Sequence, residues 1–138
     1  GSGQDEEYCR SIAGENIEFL GALSNEKLLE LFQQARALVF PGEDDFGITP
    51  LEAQACSTPV IAFASGGALE TVTEKTGVFF AEQKVEALIK AVEEMERSWR
   101  SFAPEAFQRQ MSRFGRGPYK EQMAHAIELG YQQWKTGF

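Results

Sequence analysis

An acidic loop contains the residues of this sequence that are best suited to do chemistry. Residues 41–56 read PGEDDFGITPLEAQAC, with Glu43, Asp44 and Asp45 in a row and Glu52 further on. Adjacent carboxylates repel one another, so the run contributes little to folding. Carboxylates do accept charge-assisted hydrogen bonds from sugar and ribose hydroxyls, each of about 1.5–3 kcal/mol. The loop is therefore a candidate site for a ligand rich in hydroxyl groups.

Two loops lie where open parallel sheets bind their ligands, beyond the carboxyl ends of predicted strands. One covers residues 42–48 and the other is Ser65-Gly66-Gly67. Each leads into a predicted helix, whose free backbone N–H groups and dipole favour an anion. Glycines at 47, 66 and 67 would let a phosphate approach the backbone closely. The two loops together predict an anion site at one edge of the sheet.

The charge of this region limits which anion it could hold. Bare phosphate would be repelled by an acidic cleft, whereas a sugar nucleotide offers hydroxyls to the acids. Its diphosphate would still need a cation from elsewhere in the molecule. Between residues 37 and 74 there is no lysine or arginine, and the acidic residues are Glu43, Asp44, Asp45, Glu52, Glu70 and Glu74.

Each acid also has a structural explanation, and the residues alone leave both explanations open. Residues 49–52 read as a capping box, with Thr49 as the N-cap, proline next and Glu52 reaching back. Asp44 and its neighbour are common turn residues. Glu70 falls in the first turn of a predicted helix, where a carboxylate stabilises the helix dipole.

The elements that must position these loops alternate between short apolar runs and helical patterns. The runs predicted as strands are residues 17–21, 37–41, 59–63 and 77–80. The helices are predicted over residues 24–35 with Ser24 as the cap, from Thr49, from near Gly67 and over residues 84–99. This alternation indicates an α/β fold of the Rossmann type, with a parallel sheet and helices on both faces.

The tail from about Pro104 onward is helical and aromatic, and residues 115–118 divide it into two helices. One explanation is that the tail packs on the sheet. The other is that some of its aromatic residues pack on a neighbouring domain. The residues concerned are Phe107, Phe114, Tyr119, Tyr131, Trp134 and Phe138.

The overall composition argues against several classes of protein. A net charge of −8 argues against nucleic acid or anionic membrane as the main partner. No apolar run approaches the roughly 20 residues of a membrane-spanning helix, and no signal peptide is evident. Cys9 and Cys56 lie far apart, which indicates a reducing cytoplasm. His125 is the single histidine, so we expect no histidine-rich metal site.

The run FPGEDDFGITPLEAQACSTPVIAFASGGALETV resembles the donor-binding core of GT-B glycosyltransferases, in particular the large retaining group called family four. The hallmark of that group is two glutamates separated by seven residues, on either side of a Phe-Gly-hydrophobic turn. In this sequence the two positions fall on Asp44 and Glu52, with seven residues between them. The resemblance covers about residues 14–98 and continues weakly into the tail.

The resemblance implies a role for each acid. Asp44 would contact hydroxyls of the donor sugar near the reacting carbon, and Glu52 would bind the ribose hydroxyls. Asp44 is one methylene shorter than the expected glutamate. Either the backbone therefore moves closer to the sugar, or Glu43 takes over the first position.

The resemblance assigns the remaining donor contacts to the two turns and the helices that follow them. The turn between the acids and the following helix start would hold the sugar and the diphosphate, and the second loop would line the same pocket. These residues are Phe46, Gly47, Ile48, Thr49, Gly66, Gly67 and Glu70. The implied reaction is sugar transfer with retained anomeric configuration, without a metal or another cofactor.

The chain resembles only part of such an enzyme. The family's N-terminal acceptor domain has no counterpart here, nor has the first strand and helix that bring an arginine and a lysine to the diphosphate. We expect residues 1–138 to be one partial donor-binding domain, with a helical tail over residues 104–138. If Gly1-Ser2-Gly3 ends the second strand of the family's 3-2-1-4-5-6 order, the middle of the sheet is missing. Residues 17–21 then pair directly with residues 37–41, or another chain fills the gap, or the N-terminal region is poorly ordered.

The leading interpretation is the donor half of a glycosyltransferase, inactive alone, that uses GDP-mannose or a UDP-hexose. Its acceptor would be a glycan or a lipid, as in polysaccharide biosynthesis. The second interpretation is a non-catalytic module of the same fold that binds a nucleotide sugar or another partner. A third is a GT-B sugar epimerase. The expected location is the cytoplasm, with the full-length enzyme either free or peripherally bound to a membrane.

Overall fold

The computed structural model describes residues 3–137, so the expectation for Gly1 and Ser2 lies outside the described residues. The chain divides into two compact units between residues 31 and 32, and each is considered by itself. The single domain over residues 1–138 stays a prediction. Within residues 3–137, no helix is both long enough and apolar enough to cross a membrane.

The first unit contains one complete helix, α1 (Glu6–Ile12), followed by residues 13–24, which form neither helix nor strand. Arg10 pairs with Glu6 one turn earlier at 2.9 Å, and its guanidinium carbon lies 4.5 Å from the centroid of the Phe19 ring. The prediction of a strand at residues 17–21 is wrong, because these residues form no ladder. Ile17 and Leu20 are exposed, and side chains that stay in water contribute little of the apolar burial that stabilises a strand.

Helix α2 (Asn25–Gln34) begins where the sequence predicts. The Ser24 hydroxyl accepts a hydrogen bond from the Lys27 N–H at 3.3 Å, which confirms Ser24 as the cap. The backbone N–H of Glu26 and then the Ser24 hydroxyl lower the pKa of the Glu26 carboxyl. Both donors stabilise the charged form of the carboxylate at this helix start.

The second unit is built on a parallel sheet of three strands in the order β1 (Leu38–Phe40), β2 (Val60–Phe63) and β3 (Gly77–Phe80). Val39, Ile61 and Val78 lie in register across the sheet. In the part of the chain that the structure describes, β1 has a ladder partner on one side only. Among the described residues, this sheet contains the three strands named and none from residues 17–21.

Helices cover both faces of the central strand. Val60, Ile61 and Ala62 alternate between the two faces of β2, and all three are at most 2% exposed. Helix α3 (Ile48–Ala55) packs against β1 and β2, and α5 (Val85–Ser98) packs against β2 and β3. Ile61 belongs to the core cluster beneath α5. The predicted α/β fold with a doubly covered parallel sheet is confirmed.

The remaining helices are α4 (Ala68–Thr71), α6 (Pro104–Ser112) and α7 (Arg116–Thr136), with a 3₁₀ turn at Trp99–Ser101 after α5. Helix α6 packs against α3 and buries Phe107. Helix α7 buries no residue within the described chain. The expectation that the tail packs on the rest of the fold thus holds for α6 and not for α7.

Candidate functional site

The two loops predicted to form one site do lie against each other. The N–H of Gly67 donates a hydrogen bond of 2.7 Å to the carbonyl oxygen of Asp44. A Cβ atom added to Gly67 would lie 2.4 Å from the Cα of Phe46, and one added to Gly66 would lie 2.6 Å from the Asp44 carbonyl oxygen. These distances are too short for any side chain. Loops 42–48 and 65–67 therefore pack backbone to backbone beyond the carboxyl ends of β1 and β2.

This packing gives a physical reason for the glycines that differs from the one expected. Gly66 has a φ of +56° and Gly47 a φ of +80°, and both values favour glycine. At Gly67 the space that a side chain would occupy is filled by protein backbone. Close contact between the loops is enough to require glycine at 66 and 67, and their approach to a phosphate stays a prediction.

The Asp44 carboxylate is used partly inside its own loop. One oxygen accepts the N–H of Asp45 at 2.8 Å and the other accepts the N–H of Gly47 at 3.2 Å. Asp44 is thus a turn residue, as one of the two explanations held. A carboxylate has about four acceptor positions, so two remain for a ligand, and the side chain is exposed.

The predicted capping box at residues 49–52 is wrong. Helix α3 begins at Ile48, its N-cap is Gly47, and no side chain caps it. Because α3 already includes Ile48, Thr49 lies inside the first turn, where it cannot act as the N-cap. Glu52 therefore has no capping role. It is exposed, and after burial itself its negative charge is the second cause that raises the pKa of the Cys56 thiol.

The predicted site residues divide into a buried framework and an exposed surface. Gly47 and Gly67 are buried, and Gly66 is exposed above the Asp44 carbonyl. The other predicted residues all present exposed side chains: Glu43, Asp44, Phe46, Ile48, Thr49, Glu52 and Glu70. The structure thus joins the two loops and leaves the acids open to a ligand.

A buried polar network that the sequence analysis missed holds the site in place. The carbonyl oxygen of Thr71, at the end of α4, accepts the side-chain amides of Gln54 at 3.0 Å and Gln110 at 2.9 Å. The Thr71 hydroxyl donates to the carbonyl of Gly67 at 3.0 Å. Gln54 and Thr71 are completely buried, and the Gln54 Oε1 has no hydrogen-bond partner among the described residues. The network ties α3, α4 and α6 to the second loop.

Nothing local in the sequence distinguishes these glutamines from exposed ones. Gln54 lies in α3 four residues after Pro50, whose carbonyl it also contacts at 3.1 Å. A polar residue on the inward face of a short helix is the only available signal, and it requires the helix face to be known.

A groove of about 520 Å³ borders the first loop and includes Phe46 and Glu70 in its lining. The Phe46 ring meets that of Phe114 edge to face, with centroids 5.9 Å apart and planes at 74°. Arg113 and Tyr119 also line this groove. The tail therefore supplies one wall beside the predicted donor residues.

Known proteins that are similar to this chain identify its family. Residues 5–117 match the family described as "Glycosyl transferases group 1". The chain is 36% identical over 106 residues to the Corynebacterium glutamicum protein named "GDP-mannose-dependent monoacylated alpha-(1-6)-phosphatidylinositol monomannoside mannosyltransferase", covering 69% of this chain and 28% of that protein. It is 29% identical over 121 residues to human "Alpha-1,3/1,6-mannosyltransferase ALG2", covering 76% of this chain and 29% of that protein.

A solved structure is also similar. Sucrose-phosphate synthase from Thermosynechococcus elongatus superposes with a TM-score of 0.74 and 26% identity, over 92% of this chain and 33% of that one. The chain thus spans about a third or less of the proteins it matches. Its fold corresponds to part of a GT-B glycosyltransferase. With the family match covering most of its residues, this chain belongs to the group 1 glycosyl transferases.

Proposed function

We propose that this chain is the donor-binding part of a glycosyltransferase that takes its sugar from a nucleotide-diphosphate sugar. The observation that carries the proposal is the 2.7 Å hydrogen bond from Gly67 to Asp44. It joins two loops at the edge where parallel sheets bind ligands, and it leaves exposed carboxylates beside the start of α3.

In this proposal the exposed acids bind different parts of the ligand. The free acceptor positions of Asp44, or the carboxylate of Glu43 next to it, bind hydroxyls of the donor sugar. Glu52 binds the ribose hydroxyls, since it has no capping role to explain it. The N–H groups at the start of α3, from Ile48 and Thr49, face the diphosphate. Transfer proceeds with retention and without a metal.

The donor we favour is GDP-mannose, because two relatives are named as mannosyltransferases and one of them as GDP-mannose-dependent. A UDP-hexose is the alternative, and the acceptor is a glycan or a lipid. The chain alone is expected to be inactive, since it spans about a third or less of its relatives. We place the full enzyme in the cytoplasm, free or peripherally bound to a membrane.

The second candidate function is a non-catalytic module that binds a nucleotide sugar. The observation in its favour is that both oxygens of Asp44 already accept hydrogen bonds within the loop. A transfer assay with the full-length protein separates the two, because only the first candidate predicts turnover that Asp44→Asn abolishes.

The test of donor binding is calorimetric titration of the chain with GDP, UDP and their sugar conjugates, without metal. Glu52→Gln should weaken binding about tenfold or more, because a charge-assisted bond contributes about 1.5–3 kcal/mol. The matched control is Glu96→Gln, which removes one exposed carboxylate from α5 and should leave affinity unchanged. Equal affinity of Glu52→Gln and the unaltered chain would contradict the assigned role of Glu52.

A further inference from the structure

A second groove, of about 460 Å³, lies between the segment that follows α4 and helix α6. None of the predicted donor residues lines it. Its polar and charged lining residues are Thr73, Glu74, Lys75, Arg109, Gln110 and Arg113. Thr73 and Arg113 also line the 520 Å³ groove beside Phe46, so the two grooves meet at these residues. We call this second groove the basic groove.

The charge of the basic groove is opposite to that of the whole protein. Its lining includes three cations, Lys75, Arg109 and Arg113, and one carboxylate, Glu74, although the protein carries a net charge of −8. The ion pairs within residues 3–137 engage other cations. Like charges gathered around one concave surface repel one another, so an anion bound between them would be stabilised.

One of these cations is held in place by a buried residue. Nη1 of Arg113 donates to Oε1 of Gln110 at 3.0 Å. Gln110 is 6% exposed and is itself fixed by its hydrogen bond to Thr71. The guanidinium carbon of Arg113 also lies 5.5 Å from the centroid of the Phe114 ring. A guanidinium fixed in this way loses less entropy when it binds a ligand.

We propose that the basic groove binds a phosphate group, carried by a small ligand or by a phospholipid headgroup. A guanidinium presents paired N–H donors that match phosphate oxygens, and the lysine and second arginine supply the charge a dianion needs. The volume lies within the range of about 300–1,000 Å³ that is typical of small-ligand sites. This site is additional to the proposed donor site, because it uses cations that the donor loops lack.

The test uses the intact chain and two probes. Inorganic phosphate is titrated calorimetrically, and co-sedimentation is measured with phosphatidylcholine vesicles with and without phosphatidic acid. Arg109→Gln and Arg113→Gln should each weaken binding about tenfold, the loss expected for one charge-assisted hydrogen bond. The matched control is Arg97→Gln, which removes the same charge from the exposed surface of α5.

Saturable binding of inorganic phosphate that the groove variants weaken and Arg97→Gln preserves would support a small phosphorylated ligand. Binding to phosphatidic acid vesicles alone, with the same pattern of variants, would support a headgroup. Because Arg113 contacts the buried Gln110 whereas Arg109 is simply exposed, Arg109→Gln keeps the test valid if Arg113→Gln fails to fold. An equal loss in Arg97→Gln, or no binding of either probe, would overturn the proposal.

Discussion

The two helices of the tail both carry aromatic residues, but α6 buries its aromatic residue whereas α7 leaves its aromatic residues exposed. Helix α6 has 9 residues and buries Phe107 and Gln110 to 2% and 6% exposure. Helix α7 has 21 residues and buries none, and its Trp134 is 73% exposed. Length and aromatic content therefore do not decide which helix joins the core. A complementary surface does, and α3 and α4 offer one to α6.

Helix α7 carries an apolar stripe that no other described element covers. Tyr119, Met123, Ile127, Tyr131 and Trp134 recur at helical spacing and form one apolar stripe. Tyr131 and Trp134 stack on each other with centroids 5.9 Å apart. Within residues 3–137 no other element buries this stripe. That these aromatic residues pack on a neighbouring domain stays a prediction.

Three substitutions test the difference in packing between α6 and α7, and Phe107→Ala is expected to reduce stability most. The ring is almost completely buried and packs near Phe102, so its removal leaves a cavity between α6 and the helices beneath it. We expect the free energy of unfolding to fall by about 3–5 kcal/mol, measured by urea denaturation. A loss below about 1 kcal/mol would show that α6 is held no more tightly than α7.

A smaller loss is expected from Gln110→Ala. The substitution removes the amide that satisfies the carbonyl of Thr71 and the acceptor that positions Arg113. We expect a loss of about 1–3 kcal/mol by the same denaturation, because buried groups are left with fewer partners. The matched control is Gln132→Ala on α7, where an exposed hydrogen bond to Glu128 is lost. Equal effects of the two substitutions would contradict the role of the buried network.

The smallest effect is expected from Trp134→Ala. Because the side chain is mostly exposed, its removal should change the free energy of unfolding by less than about 0.5 kcal/mol. Hydrogen exchange adds a second measurement, since amides of α7 should exchange faster than those of β2. Strong protection of α7 in the isolated chain would mean that its stripe is covered after all.

Some of the fold could be predicted because the signals are local. Residues 37–41, 59–63 and 77–80 are short apolar runs, and each contains a strand. Residues 17–21 carry a similar pattern and form no strand, since a strand also needs a neighbour to pair with. An apolar run therefore shows where a strand can form and does not show whether it pairs.

At the candidate site, too, one prediction is confirmed and another is wrong. The two loops were predicted to converge from their places after neighbouring strands, and the hydrogen bond from Gly67 to Asp44 confirms it. The capping box was mistaken because threonine, proline and glutamate fit the pattern, whereas the helix begins one residue before Thr49, directly after Gly47 with its positive φ. A sequence shows that glycine can adopt such a conformation and does not show that it does.

The sequence by itself determined where the three strands of the parallel sheet lie, which family the chain resembles and which loops carry the acids, because each depends on residues that are close together along the chain. Only the tertiary structure decided what holds those loops in place. The carbonyl of Thr71 binds Gln54, 17 positions away, and Gln110, 39 positions away. Such bonds form only after the helices have packed, because the packing brings distant residues together and excludes the water that would otherwise bind them.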